Sequence, residues 1–495
     1  MRKLFLFLSL NVLIHYVVFG QTISGTVIDE TTKEKLIGVN IILENGEGTS
    51  TDIDGNYHLK TDIGVQNITF RYIGYTDHDE NITLLKKENK TMNISLKIAS
   101  EQLSTVVVSA GRFEQKLEEI TVSMEVIKPA LIENKNTTDI QTALEQIPGV
   151  NITDGQANIR GGSGWSYGAG SRVLVMVDDM PLISGDAGQV QWKLIATENI
   201  NQVEVIKGAS SVLYGSSALN GVINIRTAFP SQKDIDKTSW IKKYKNTGYT
   251  KVNMHFGLID KPKRKGLNWN GEKRRAFKGF EFLQAFKLLN LDLSIGGNIF
   301  KDDGYRMGEI IDRKRFNINS TYKSKKILGL SYGINGNFLF QSSGSVMIWK
   351  SLEEAYMPLD GITTTNGDTY NIDPFIIYMH GNNRHSLRTR YLKVINDNST
   401  KGVDNQQDNK SKIYYSDYQW QKNIEKYNLR ITSGTTNEIV YASADLFQGN
   451  NFRRNNSLYT QIDKKWRRVN LSLGARYEYF SIDSEKDHII DEDTI

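Results

Sequence analysis

Seven histidines, at positions 15, 58, 78, 255, 380, 385 and 488, are the side chains best suited to metal binding or proton transfer. They are dispersed. Only His380 and His385 lie close together, on either side of an expected turn. The sequence holds no His-Glu-x-x-His pair for zinc and no Walker glycine loop for phosphate. With no cysteine there is neither a thiolate ligand nor a thiol nucleophile. The run Asp52-Ile53-Asp54-Gly55-Asn56 opens like a calcium loop, but Tyr57 and Ile63 stand where that loop needs glycine and glutamate, so a β-turn is expected. The glycines of 161–164 and 168–170 lack the third glycine of a dinucleotide fingerprint. No nucleophile stands at a recognisable spacing from a base. The expectation is a protein that is not an enzyme, with no catalytic residue, no metal site and no cofactor.

Two other groupings point to recognition. Segment 341–371 carries Met347, Trp349, Tyr356, Met357 and Tyr370, and glycine-rich 163–171 carries Trp165 and Tyr167. Rings facing a concave vestibule stack on a ligand, which makes Trp165, Tyr167, Trp349, Tyr356 and Tyr370 the candidate ligand-binding residues. The alternative is that these rings pack together or form an interfacial girdle. The second grouping is the β-branched cluster Thr105, Val106, Val107, Val108, Ser109 and Ala110, set between polar flanks. Such a segment adds readily to an open sheet edge. On pattern alone it serves equally as one more strand of the domain before it.

The elements that must position these residues are mostly strands. From about Gly248 onward apolar and polar residues alternate, as in Leu291, Leu293, Ile295 and Ile299 against Asp292, Ser294 and Asn298. About eleven such strands are expected, joined by connections that are short and long in turn. That is the pattern of a transmembrane antiparallel β-barrel, whose closed ladder pairs every backbone group within hydrocarbon. A chain of 495 residues has room for further domains. Residues 1–20, with Arg2 and Lys3 before an apolar run, read as a secretory signal, an uncleaved anchor helix being the other reading. Residues 21–98 read as a β-sandwich of short strands. Residues 99–112 form a linker. Residues 113–230 mix a short helix over Thr138 to Ile147, stopped by Pro148-Gly149, with strands at 173–177, 203–206 and 222–225. Residues 231–495 hold the barrel strands. A net charge of +5 with both signs interspersed gives no footing for nucleic acid.

Five pieces in order, Ala143 to Val150, Asn158 to Gly162, Val173 to Leu182, Ile200 to Gly208 and Leu213 to Ile225, resemble the plug of TonB-dependent outer-membrane receptors. Gly25 to Val27, Gly38-Val39, Thr51 to Tyr57 and Tyr72 to Tyr75 resemble the regulatory-like β-sandwich found beside carboxypeptidase domains, a non-catalytic module. The first resemblance implies that Thr105–Ala110 is the TonB box and that the partners are a TonB energy-coupling complex, outer-membrane lipid and a small-molecule ligand such as an iron chelate. It implies the outer membrane as location, with the sandwich and plug on the periplasmic side. It also implies that Arg160 and Lys207 lock plug to barrel carboxylates, Lys207 replacing an arginine and offering only a point charge. The element at 213–225 is more similar to ferric-siderophore and vitamin receptors than to glycan importers. Members of the family carry twenty-two strands, so eleven read as about half of a barrel, in a chain cut near its middle.

Overall fold

The computed structural model describes residues 21–484 except 31–32, 34, 37, 46, 53, 73–74, 86–87, 98–105, 108, 110–111, 113–114, 117–119, 136, 163–169, 209–210, 229–246, 289, 347, 360, 401–407, 425–426, 446–448 and 467–468. The expected signal lies outside the described residues, as do Thr105, Val108, Ala110, Trp165 and Tyr167. Two compact units are present: residues 1–106 with 116–118, and residues 107–115 with 119–495.

The first unit contains two four-stranded sheets. In one, Gln21–Asp29 pairs with Asn56–Thr61, Lys90–Thr91 and Ile94–Leu96; in the other, Asn40–Leu43 and Gly64–Arg71 are central. Every second residue of Asn56–Thr61 is buried, the period expected of a strand with one wet face. The core includes Ile23, Val27, Tyr57, Leu59, Ile68 and Phe70, with the Tyr57 and Phe70 rings edge to face at 5.5 Å. Gly25 is needed where it stands, because a Cβ would fall 1.8 Å from the Met92 carbonyl oxygen. The Asp52 run is a turn, as expected. Its carboxylate accepts from the backbone N–H groups of Asp54 (2.9 Å) and Asn56 (2.8 Å).

The second unit is a small mixed domain held against a large sheet. The main sheet of the mixed domain has five strands in the order Met124–Ile127, Ile200–Ile206, Gly221–Thr227, Val173–Val177, Met180–Pro181, and Val150–Thr153 with Gln156–Ile159 forms a separate hairpin. Val173–Val177 is buried on both faces, which explains its unbroken apolar sequence. The expected helix is Ile140–Leu144, shorter than the apolar spacing implied, with Asp139 as N-cap accepting from the Gln141 N–H at 3.0 Å.

The large sheet has eleven antiparallel strands in sequence order. These are Thr247–Ile259, Arg275–Leu288, Leu291–Asp302, Ile311–Lys323, Leu330–Ser345, Thr363–His380, Asn383–Thr400, Asn409–Ile424, Leu429–Ala444, Gly449–Lys465 and Asn470–Ser484, wall strands 1 to 11 below. Several run well past their expected ends; strands 9 and 10 have 16 and 17 residues. Beyond the greasy band the outer face becomes polar too, so the alternation that marks a strand fades while the ladder continues. On strand 4, Arg313, Arg315, Asn317 and Asn319 are buried against the mixed domain, and Phe316 between them is exposed on the other face. That outer face carries a chain of rings across strands 4 to 10. Phe316, Phe338, Tyr370, Tyr391, Tyr414, Tyr441 and Phe452 follow one another at centroid spacings of 6.3, 6.1, 6.0, 5.1, 6.4 and 5.3 Å. It is the aromatic belt of a membrane-spanning wall.

Candidate functional site

The β-branched cluster leads into a buried clasp. Val106–Val107 is a two-residue strand. Ser109 is fully buried: its N–H donates to Glu204 Oε2 at 2.6 Å, its carbonyl accepts from the Tyr214 hydroxyl at 2.6 Å, and its Oγ accepts from Asn224 Nδ2 at 2.9 Å. All three partners belong to the mixed domain. Three residues on, Arg112 is held by the wall. Its guanidinium donates to Asp417 on strand 8 and, at 3.1 Å, to the hydroxyl of Tyr459 on strand 10. Its carbonyl accepts from Gln421 Nε2 at 2.9 Å. The cation also lies 4.6 Å from the Tyr214 ring centroid and 5.3 Å from that of Tyr459. Burial opposes the charge on Arg112, but Asp417 outweighs it and drives the guanidinium pKa well above its ordinary value.

Two features tune this clasp. Arg112 has φ +57°, a left-handed backbone that costs a non-glycine residue about 1–3 kcal/mol. Tyr459 reaches Arg112 by lying across Gly434, where a Cβ would fall 2.4 Å from the tyrosine oxygen.

Buried charge also joins the mixed domain to the wall at two further places. Glu198 is paired with Arg315 on strand 4, both almost wholly buried, and accepts from Asn317 Nδ2 at 2.8 Å. Asp179 is forked by Arg226 at 2.7 Å and met by Arg388 of strand 7 at 3.2 Å. Burial works against the Asp179 carboxylate, yet Arg226 and then Arg388 prevail and hold it far below the usual carboxylate range. Arg388 and Arg390 also donate to the carbonyls of Asp178 (2.6 Å) and Met180 (2.9 Å), gripping the turn at 178–181.

The expected lock residues lie elsewhere. Arg160 donates to the Lys207 carbonyl (3.0 Å) and to Ser123 Oγ (2.8 Å). Lys207 pairs with Glu125 and donates to the Pro148 carbonyl at 3.0 Å. These partners all belong to the mixed domain. Among the described residues, the buried charged contacts with the wall are made instead by Arg112, Asp179 and Glu198, and Glu133 pairs with Lys251 of strand 1 at a more exposed place. Sequence reasoning passed over the three buried ones. The available signal was strand parity, which sets Arg313, Arg315, Arg388, Arg390 and Asp417 on the inner face.

Among the described candidate ligand residues, Tyr370 stands apart from Trp349 and Tyr356. Trp349 and Tyr356 share the loop after strand 5. There Arg306 lies 4.8 Å from the Trp349 ring, and Tyr356 packs edge-on to Tyr305 at 5.3 Å. Tyr356 also lines a 230 Å³ hollow with Trp269 and Arg275. Tyr370 belongs to the outward belt and points away from the lumen. A different cavity, of 280 Å³, sits inside the wall over the mixed domain. It is bounded by Gln141, Gln191 and Lys193 on one side and Gln341, Thr365, Thr369 and Asn396 on the other. The inner face of strands 5 to 8 around it, Gln341, Ser343, Thr365, Thr369, Asn396, Asn398, Asn409 and Ser411, is uncharged and rich in amides and hydroxyls.

Comparison with known proteins agrees with this architecture. Residues 116–222 match the TonB-dependent Receptor Plug Domain, and residues 23–108 match the CarboxypepD_reg-like domain. The chain is 33% identical over 244 residues to the TonB-dependent receptor SusC of Bacteroides thetaiotaomicron, covering 46% of this chain and 23% of that protein. It is 38% identical over 129 residues to the vitamin B12 transporter BtuB of Vibrio vulnificus, covering 25% and 20%. Among solved structures, the siderophore receptor PirA from Pseudomonas aeruginosa superposes with TM-score 0.54 at 17% identity, over 72% of this chain and 56% of that one. The ferric citrate transporter FecA superposes with TM-score 0.55 at 12% identity, over 74% and 57%. The matches thus span about a fifth to a quarter of these curated relatives and somewhat over half of these solved chains. Residues 116–222 thus carry a TonB-dependent receptor plug, and with that plug seated against a girdled β-wall the chain is similar to the TonB-dependent receptors of the bacterial outer membrane.

Proposed function

We propose that the protein imports a scarce ligand across the outer membrane, driven by a TonB-type energy-coupling complex that captures the Thr105–Ala110 segment as an added strand. One observation carries this reading. The segment itself is fastened to the plug through Ser109, and just beyond it the chain is fastened to the wall through Arg112. A ligand seated on the plug would shift Glu204, Tyr214 and Asn224 relative to Asp417, and a clasp that spans both bodies loosens when either moves. The freed segment would be pulled from the periplasm and the plug with it. Deleting Thr105–Ala110 is expected to abolish uptake and leave ligand binding intact. Uptake that persists would defeat the mechanism and favour a barrel that signals or adheres without transport.

For the ligand, the resemblance of 213–225 to chelate and vitamin receptors favours a ferric siderophore, and PirA and FecA are named for a siderophore and ferric citrate. A second reading has its own observation. The uncharged amide and hydroxyl face around the 280 Å³ cavity matches a neutral, hydroxyl-rich ligand such as an oligosaccharide better than a charged chelate. Growth of a deletion strain on single iron, vitamin and glycan sources separates the two. Iron-repressed expression would support the chelate, and a neighbouring gene for a lipid-anchored glycan-binding protein would support the oligosaccharide. Trp349 and Tyr356 remain candidates for first contact at the outer loops.

A further inference from the structure

One cross-strand row on the outer face of the wall reads Phe338, Tyr370, Lys393, Lys412, Tyr441, Phe452. Two lysines thus interrupt the aromatic belt, directly opposite one another in the ladder between strands 7 and 8. Like charges in that position repel and weaken a sheet. Lys410 adds a third cation two residues further out on the same face, and it is exposed. Among the described residues no ion pair joins any of the three to a carboxylate. The contrast with strands 3 and 4 is direct: there the rim cation Lys301 has Asp312 at 3.7 Å. Lys393 rests 5.5 Å from the Tyr370 centroid, so its ammonium is held at the level of the rings.

We infer that Lys393, Lys412 and Lys410 form a binding site for the phosphate groups of the lipid A glycolipid in the outer leaflet. The aromatic belt marks the boundary between hydrocarbon and headgroups, which is the depth of those phosphates. The cluster lies toward the end of the strands joined by connections 346–362 and 401–408, the outer end in this topology. A phosphate between Lys393 and Lys412 turns a repulsive pair into a bridged one. Tyr391 and Tyr414, below and between the lysines, offer ring faces to the sugar and the first methylenes. The assignment needs only the outer-membrane location and stands apart from the transport reading.

The test is binding of purified bis-phosphorylated lipid A to the intact receptor in detergent, read by native mass spectrometry. The double variant K393Q/K412Q is expected to bind about tenfold more weakly, each lysine contributing a factor of a few near an anionic headgroup. K393R/K412R should restore binding, because it keeps the charge. Chemically dephosphorylated lipid A should bind the wild type as weakly as the variant binds the intact lipid. Equal affinity of wild type and K393Q/K412Q, or indifference to the phosphates, overturns the site. Phosphatidylglycerol binding as tightly as lipid A overturns the glycolipid assignment. Should the double variant misfold, the single variants K393Q and K412Q carry the same test, each with a loss of a few-fold expected.

Discussion

Arg112 and Arg160 invite comparison. Both stand at positive φ, +57° and +54°, and both make more than one hydrogen bond. Arg112 is 4% exposed and reaches from the plug side to the wall, whereas Arg160 is exposed and stays within the plug. Water can replace what Arg160 holds. It cannot replace Asp417 for Arg112, so removing that one carboxylate strands a buried cation. Strength at this interface therefore depends on burial and on which bodies are joined, and the number of hydrogen bonds is a poor guide.

The comparison can be broken at its stronger end. Asp417→Ala should destabilise the stowed segment by about 3–5 kcal/mol, the usual cost of breaking a buried pair. Amide hydrogen exchange at Ser109 would report this as near-complete loss of protection. Gly434→Ala should act on the same clasp without touching a charge. Its methyl displaces the Tyr459 hydroxyl and is expected to cost about 1–3 kcal/mol by overpacking. Normal Ser109 protection in that variant would mean that Tyr459 is dispensable.

A pair of intermediate burial sharpens the scale. Asp139 caps the helix Ile140–Leu144 and meets Lys193. Burial opposes its charge, but Lys193 and the Gln141 N–H prevail and lower its pKa. A depressed folded value means that its contribution is fully present above the unfolded carboxylate pKa and is lost as pH falls through the folded one. Plug stability followed by denaturant titration should therefore be flat near neutrality and decline in acid, with a shallower decline in Asp139→Asn. At the weak end, Arg160→Ala should cost about 1 kcal/mol or less and leave Ser109 protection unchanged. A large effect there would restore Arg160 as a plug–barrel lock.

Much of this arrangement was legible in the sequence. A period of two survives any register, so Leu291 to Ile299 announce a wall strand before its partners are known, and eleven strands were countable. The plug strands at 173–177, 203–206 and 222–225 were readable from their apolar β-branched runs. What could not be read was pairing at long range. Asp417 lies about 300 positions from Arg112 in the chain, and only the packing of plug against wall brings them together. Arg160 and Lys207 were assigned to the wall because family position says nothing about which neighbour a flexible cation selects. Tyr370 went to the loop cluster because strand 6 was read too short. With Thr363–His380 as one strand of 18 residues, parity alone turns that ring outward.

The twisted backbone at Arg112 has a kinetic corollary. Tension stored there is relieved when the segment leaves, and the favourable charge pair that compensates for it is available only after the guanidinium has found its slot again. Departure and return are then unequal journeys. The unfastened form is expected to be slow to close, so recovery of the stowed arrangement, more than its disruption, should be the slower step. Replacing Arg112 by glycine would remove tension and anchor together, and that receptor should reseat its N-terminal arm faster but hold it less tightly.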